Sequence, residues 1–186
     1  MVKLNKIYTR TGDDGTAGLV DGSRTSKAGA RMHAIGEVDE ANSALGVVIA
    51  HLSDKKLSEA LRRIQNELFD LGADLATPGE VEGALRIEES QVERLEQEID
   101  AMNADLDPLT SFILPGGSAA TAQLYLARAV VRRAERAAVA LWDGEEVNPH
   151  VLSYLNRLSD HLFVSARAHA ASEGTGDILW QPGATR

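Results

Sequence analysis

Apolar residues recur at alternating three- and four-residue steps in five stretches of the chain, a spacing typical of helices that bury one face. Short polar connections separate the stretches, and a glycine and a proline break the last two apart. Because no strand pattern interrupts them, the segments predict an all-α fold, a five-helix bundle with an irregular N-terminal loop. The predicted helices span about 30–52, 54–77, 88–102, 118–144 and 149–172. We expect one domain over 1–186, with a loop segment at 1–27, the helical bundle at 28–173 and a tail at 174–186.

The fourth predicted helix carries a polar stripe beside its apolar seam. Arg128, Arg132 and Arg136 follow one another at four-residue steps, and Glu135 lies next to them on the same face. Arg133 adds to this cluster, the densest basic group in the sequence. Such a stripe is most often a solvated face with weak ion pairs. A functional interpretation requires an anionic partner for the arginines.

Residues 1–27 lack a helical period and contain four glycines, so they predict a loop, with a short extended piece at 3–9. Within the loop, residues 9–16 read TRTGDDGT, a combination of hydroxyls, a cation and glycines that can wrap backbone N–H groups around phosphate oxygens. The same composition is also typical of a simple turn. It is not a Walker A loop, because the GxxxxGK[ST] pattern is absent.

A short apolar knuckle interrupts the helices between the third and the fourth. Phe112, Ile113 and Leu114 form it, and Pro115-Gly116-Gly117 ends it. Two interpretations remain open: a plug in the core, or a wall against a flat apolar ligand. The tail at 177–183 is expected to pack irregularly.

The composition of the chain excludes several classes of function and several kinds of site. A formal charge of −9 and a pI near 5.0 argue against a general nucleic-acid binder, so an anionic ligand must meet a local basic cluster. The absence of cysteine excludes disulfides, thiolate metal sites and a cysteine nucleophile. No apolar run approaches about 18 residues and no signal core is present, so we expect a soluble, cytoplasmic protein without a membrane partner. The histidines show no metal-ligand spacing, so we expect no metal site built by the protein.

Five motifs occur in one order: TRTGDDGT, GEVDEANSALG, FILPGGS, RAVVRRAER and NRLSDHLF. In this order they resemble the PduO-type ATP:cob(I)alamin adenosyltransferases, also called corrinoid adenosyltransferases. The resemblance extends from about Tyr8 to Trp180. It implies a five-helix bundle that forms a homotrimer, binds ATP between neighbouring subunits and transfers the 5′-deoxyadenosyl group of ATP to the cobalt of reduced cobalamin.

The resemblance also implies roles for individual residues. A phosphate-binding loop would comprise Thr9, Arg10, Thr11, Gly12, Asp13, Gly15 and Thr16, with Lys27 reaching the nucleotide. Triphosphate and ribose would be held from a neighbouring subunit by Arg132, Glu135 and Arg136, with Arg133 and Asn156 also at the nucleotide. Asp39 and Arg128 would form a salt bridge between subunits beside the corrin, and Phe112 a hydrophobic wall below it. Asp14 stays outside the set, since family members often carry a basic residue there and a carboxylate beside triphosphate must face solvent or a cation.

In such a reaction cob(I)alamin is itself the nucleophile, so the protein needs neither a nucleophilic side chain nor a general base. The implied ligands are ATP, Mg²⁺ and cobalamin, and the implied protein partners are a cobalamin reductase and an adenosylcobalamin-dependent enzyme. The alternative is a non-catalytic carrier that binds ATP or adenosylcobalamin without turnover.

Overall fold

The computed structural model describes residues 7–186 and contains five helices, which confirms the predicted all-α bundle. Most predicted boundaries lie within about two residues of the observed ones. The part of the predicted extended piece that falls on residues 1–6 lies outside the described residues. The helices are α1 (Ala30–His51), α2 (Lys55–Leu75), α3 (Glu89–Asn103), α4 (Ala119–Trp142) and α5 (Pro149–Ser172).

Polar side chains placed just before two helices satisfy the first backbone N–H groups. The Asp54 carboxylate accepts hydrogen bonds from the N–H groups of Lys56 at 2.8 Å and Leu57 at 3.2 Å. The Ser118 hydroxyl accepts one from the N–H of Thr121 at 3.3 Å. Such caps each contribute about 1 kcal/mol. The caps explain why the starts of α2 and α4 could be predicted from the sequence.

The α4 helix packs between α1 and α5, while α3 packs on α5 and α2 on α1. Arg31, in the first turn of α1, pairs with Glu145 just after α4 at 2.8 Å. Further along α1, Glu37 pairs with Arg133 at 2.6 Å, so the two helices run antiparallel. Buried side chains from all five helices form one hydrophobic cluster. The division into one domain stays a prediction.

A network of buried and half-buried polar groups joins α2, α3 and α5. Its members, called the closed network below, are Arg63, Glu67, Glu98, Tyr154 and His161. The Tyr154 hydroxyl donates to the Glu67 carboxylate at 2.6 Å, and the Glu98 carboxylate contacts Arg63 at 2.7 Å and His161 at 3.0 Å. Burial acts to raise the pKa of Glu98, but hydrogen bonds from His161 and Arg63 outweigh it and lower that pKa to about 2. These helices are therefore held together by charge pairing as well as by apolar burial.

The prediction of a loop over residues 1–27, extended only at 3–9, is wrong for six residues. Thr16–Gly18 (β1) and Arg24–Ser26 (β2) form an antiparallel hairpin, with Thr16 opposite Ser26. Strands of three residues are too short to show the alternation by which strands are recognised. The N–H of Val20, in the hairpin turn, donates to the carbonyl of Ala76 at 3.0 Å and docks the hairpin on the end of α2.

The tail after α5 is more regular than predicted. Ile113 and Leu179 form an antiparallel bridge, flanked by a hydrogen bond from the Trp180 N–H to the Phe112 carbonyl at 2.7 Å. The knuckle and the tail therefore hold each other at one end of the bundle. Among residues 7–186, no helix is both long and apolar enough to cross a membrane.

Candidate functional site

Residues 9–16, called the phosphate loop below, form two consecutive turns at the surface. The Asp13 N–H donates to the Arg10 carbonyl at 3.3 Å, and the Gly15 N–H donates to the Gly12 carbonyl at 3.2 Å. Arg10 has a φ of 64°, a left-handed conformation that costs a non-glycine residue roughly 1–2 kcal/mol. Strained curls of this kind are found where backbone N–H groups face an anion. The predicted members of the loop lie together in this curl: Thr9, Arg10, Thr11, Gly12, Asp13, Gly15 and Thr16.

Lys27 lies against the same curl. Its Nζ donates to the Gly12 carbonyl at 2.7 Å, and its backbone N–H donates to the Gly15 carbonyl at 2.9 Å. A Cβ added at Gly12 would lie 2.9 Å from Lys27 Nζ and 3.0 Å from the Thr16 carbonyl oxygen, so a side chain there would push the Lys27 ammonium group aside and crowd the turn. The ammonium group is thus placed at the loop, and its contact with a nucleotide stays a prediction.

Arg24 contacts the phosphate loop, and this contact was not predicted from the sequence. From β2, its guanidinium donates to the Thr11 carbonyl at 2.6 Å and to the Thr16 hydroxyl at 2.8 Å. The contact exists because the hairpin register pairs Arg24 with Gly18 and so folds β2 back beside the loop. The turn-forming residues at 19–23 were the one available signal.

Asp14, left out of the predicted site, shapes the turn. Its carboxylate accepts hydrogen bonds from the N–H and the hydroxyl of Thr16 at 2.9 and 2.8 Å, and Arg24 lies 3.6 Å away. The hydrogen bonds from the Thr16 hydroxyl and N–H lower the pKa of Asp14. The carboxylate therefore faces solvent and a cation, the condition under which a carboxylate is tolerated beside triphosphate.

The polar stripe of α4, called the open stripe below, comprises Arg128, Arg132, Glu135 and Arg136. Arg132 and Arg136 are exposed and Glu135 is partly exposed. The Arg136 guanidinium donates to the Arg132 carbonyl at 3.0 Å. Within residues 7–186, none of the four side chains forms an ion pair. On α5, Asn156 is likewise exposed, about two turns after Asn148, which caps the helix. The exposed side chains of Arg132, Arg136 and Asn156 are therefore free to contact a ligand.

Arg133, the neighbour of Arg132 in sequence, points to α1 instead. Its guanidinium contacts Glu37 at 2.6 Å and also pairs with Glu40. This contact holds α4 to α1. A role of Arg133 at the nucleotide stays a prediction, and its carboxylate partners already occupy it in this structure.

Asp39 and Arg128 do not pair with each other within the described chain. Asp39 is exposed on α1, whereas Arg128 is half-buried and lies over the Phe163 ring at 5.4 Å. The buried Nε of Arg128 has no hydrogen-bond partner among the described residues. A buried donor of this kind costs about 1–3 kcal/mol unless it finds an acceptor.

Phe112 is 77% exposed, so the interpretation of this residue as a core plug is wrong. Its neighbour Ile113 packs against the core instead. The Phe112 ring lies 6.0 Å from the Trp180 ring, and the bridge between knuckle and tail fixes the backbone there. The arrangement presents an apolar surface to whatever lies outside the knuckle.

The phosphate loop and the knuckle lie at opposite ends of the bundle. The loop precedes α1 and is docked on the end of α2 through Val20, whereas Phe112 precedes α4, which runs antiparallel to α1. No hydrogen bond or ion pair joins residues 9–27 to the open stripe. One described chain therefore does not assemble the whole predicted site.

A cleft of about 830 Å³ lies elsewhere, between the end of α2, the connection at 78–88 and the start of α5. None of the predicted site residues lines it. Its buried polar groups bind one another: Asp74 accepts hydrogen bonds from Arg86 at 2.6 Å and Asn148 at 2.7 Å. We therefore do not assign the site to this cleft.

Comparisons with known proteins bear directly on the motifs. The chain matches the family described as cobalamin adenosyltransferase over residues 7–169. It is 50% identical to the corrinoid adenosyltransferase of Mycobacterium tuberculosis over 192 aligned residues, covering 100% of this chain and 97% of that protein. It is 47% identical to the corrinoid adenosyltransferase of Bacillus subtilis, covering 95% of this chain and 92% of that protein.

Similarity of structure agrees with similarity of sequence. A variant of a PduO-type ATP:corrinoid adenosyltransferase from Lactobacillus reuteri, complexed with cobalamin and ATP, matches with a TM-score of 0.91 at 38% identity. The match covers 95% of this chain and 97% of that one. These sequence and structural matches show that the chain belongs to the cobalamin adenosyltransferase family.

Proposed function

We propose that the protein is an ATP:corrinoid adenosyltransferase. It transfers the 5′-deoxyadenosyl group of ATP to the cobalt of cob(I)alamin and releases triphosphate. The family relationship and the related structure complexed with cobalamin and ATP support both substrates. Within this chain, the open stripe carries the proposal, because charged side chains at the centre of a long helix lack ionic partners of their own.

The reaction determines what the side chains must do. The electron pair of Co(I) forms the bond to C5′ of ATP, the bond between C5′ and its phosphate oxygen breaks, and that oxygen leaves with the triphosphate. No side chain gains or loses a proton in this balance. The protein must align the two substrates and stabilise the growing negative charge on the leaving group. Arg132 and Arg136 supply cationic donors for that charge, and the phosphate loop supplies backbone N–H groups.

Mg²⁺ would accompany the triphosphate. Among residues 7–186, no group of three His, Asp or Glu side chains could hold a metal ion. Mg²⁺ commonly binds through phosphate oxygens, water and only one or two carboxylates, so the residues present fit it. Exposed Asp13 or partly exposed Glu135 could supply such a carboxylate. The ion, when bound, offsets part of the triphosphate charge.

The complete site forms between two copies of the chain, in a homotrimer. Two features support this assembly. The phosphate loop and the open stripe make no polar contact within one chain, and half-buried Arg128 has no ionic partner among the described residues, which leaves it available to Asp39 of a second copy. The second copy would therefore contribute the open stripe to a nucleotide held by the first copy's loop.

Phe112 acts on the corrin. Its exposed ring, backed by Trp180, displaces the lower axial ligand of cob(II)alamin and excludes water, which eases reduction to Co(I). The cofactor supplies the redox chemistry. Replacing Phe112 by Ala is expected to slow conversion from cob(II)alamin more than from pre-reduced cob(I)alamin. Equal losses from both substrates would exclude this role.

The reductase, the adenosylcobalamin-dependent enzyme that receives the product and the cytoplasmic location stay predictions. The reaction itself is tested by mixing the protein anaerobically with ATP, Mg²⁺ and cob(I)alamin and recording the visible spectrum. The proposal requires growth of the adenosylcobalamin spectrum. ATP binding without that growth would support the carrier function instead.

A further inference from the structure

We propose that Arg24 is a positioning residue that holds the phosphate loop in its binding conformation before the nucleotide arrives. The inference rests on the proposed function, because it takes residues 9–16 as the site that receives triphosphate. Arg24 belongs to β2 and stands outside that loop in sequence.

The Arg24 guanidinium joins the two ends of the curl. Nη2 donates to the Thr11 carbonyl at 2.6 Å, while Nε donates to the Thr16 hydroxyl at 2.8 Å. The guanidinium is planar and rigid, so two bonds from one such group fix the distance and angle between the atoms that accept them. The separation of Thr11 from Thr16 is thereby set by a side chain from a neighbouring strand.

The bond to Thr11 also orients a backbone donor. In a planar trans peptide the C=O and the following N–H point in opposite directions. Because the Thr11 carbonyl points to Arg24, the N–H of Gly12 points away from it. The Gly12 N–H makes no hydrogen bond with the described residues. It is a free donor, and donors of this kind bind anions where several converge.

Lys27 fixes the next peptide in the same way, since its Nζ donates to the Gly12 carbonyl at 2.7 Å. The N–H of that peptide belongs to Asp13 and donates within the turn, to the Arg10 carbonyl. Arg24 and Lys27 therefore hold the carbonyls of Thr11 and Gly12. Of the N–H groups of these two peptides, only that of Gly12 is left for a ligand in the described structure. The Arg24 contact is the one that determines its direction.

The hairpin does not need the Arg24 side chain. Its strands pair through backbone groups, and the Val20 N–H docks the turn on α2. Arg24 itself is about half exposed, with Asp14 at 3.6 Å as its ionic partner. Removing the side chain should therefore release the loop and leave the bundle and the hairpin folded.

The test compares wild type, Arg24→Ala and Arg24→Lys by calorimetric titration with ATP and, separately, with inorganic triphosphate. We expect Arg24→Ala to weaken both ligands by about tenfold or more, because two bonds from a charged donor are lost. Lys keeps the charge but can reach only one acceptor well, so Arg24→Lys should recover part of the loss. The KM for cobalamin and the melting temperature should be unchanged.

Arg62→Ala is the matched control. Arg62 is an exposed arginine on α2 whose side chain forms no ion pair or hydrogen bond with the described residues, so the variant removes the same charge. Its affinity for triphosphate should equal that of wild type. An equal loss in Arg62→Ala would show that only net charge matters and would overturn the inference.

The remaining outcomes separate this inference from the proposed function. Unchanged affinity of Arg24→Ala for both ATP and triphosphate would overturn the role of Arg24, whatever the enzyme activity. A wild type that binds triphosphate but forms no adenosylcobalamin would refute the proposed function while the comparison of affinities still tests Arg24. A wild type that binds neither ligand would refute both.

Discussion

The closed network and the open stripe are two groups of charged residues with opposite surroundings. In the closed network each charged side chain meets a partner from another helix, as Glu98 meets Arg63 and His161. In the open stripe the side chains lie along one helix and form no ion pair with another helix among the described residues. A charge that is already satisfied can only contribute to folding, whereas an unsatisfied one at the surface is available to a ligand. In this molecule, stability and ligand binding therefore depend on different groups of charged residues.

The largest effect is expected on stability, in the closed network. Glu67→Ala removes the carboxylate that accepts from Tyr154 at 2.6 Å and pairs with Arg94 at 2.6 Å. Breaking a buried pair typically costs 3–5 kcal/mol, and because Arg94 is partly exposed we expect about 3 kcal/mol. Urea denaturation measures it. A decrease of less than about 1 kcal/mol in the free energy of unfolding would contradict the view that this network stabilises the fold.

The next effect is expected on activity, in the open stripe. Arg132→Ala removes a charge-assisted contact worth roughly 1.5–3 kcal/mol, so kcat/KM for ATP should fall by about ten- to a hundredfold. The free energy of unfolding should stay within about 0.5 kcal/mol of wild type, because the side chain makes no ion pair in the chain. Steady-state kinetics measures the fall in kcat/KM, and denaturation measures the free energy of unfolding. Loss of stability with normal kinetics would reverse the comparison.

An intermediate effect is expected in acid. The pKa of Glu98 is about 2 in the folded protein, below the roughly 4.3 of a free glutamate. The contribution of ionised Glu98 to the free energy of unfolding is therefore complete above pH 4.3, and it is lost as the pH falls from 4.3 towards 2. Glu98→Gln does not titrate, so the stability difference between wild type and this variant should shrink over that interval. Denaturation at pH 7, 4 and 3 measures it, and a constant difference would exclude the pairing.

The smallest effect is expected at Arg133, which sharpens the comparison within α4 itself. Its pairs with Glu37 and Glu40 are partly exposed, so Arg133→Ala should cost only about 0.2–1 kcal/mol of stability. We expect kcat/KM for ATP to change less than in Arg132→Ala, measured in the same assay. Losses as large as those of Arg132→Ala would instead support the predicted contact of Arg133 with the nucleotide.

The sequence was sufficient for the helices because their signals are local. The apolar period spans several turns in each helix, and caps such as Asp54 and Ser118 precede α2 and α4. The open stripe could be predicted for the same reason, since Arg128, Arg132 and Arg136 are related by the helical repeat alone.

Other features depend on contacts that no local pattern records. Arg24 reaches the phosphate loop only because a hairpin of short strands folds it back. Arg133 has the same residue type as Arg132 and is its neighbour, but the partners on α1 that separate their roles lie almost a hundred positions away, as the Glu37 contact shows. Likewise, the exposure of Phe112 depends on Ile113 taking the place in the core.

The central claim is that a loop from one copy and an open stripe from another form each site. It is tested by mixing two variants that are each strongly impaired, Gly12→Val in the loop and Arg132→Ala in the stripe, after dissociation and reassembly. With random mixing in equal amounts, about a quarter of the sites receive an intact loop and an intact stripe. The account predicts recovery of about a quarter of wild-type adenosylcobalamin formation in the mixed oligomers. No recovery, with mixed oligomers demonstrated by mass spectrometry, would contradict it.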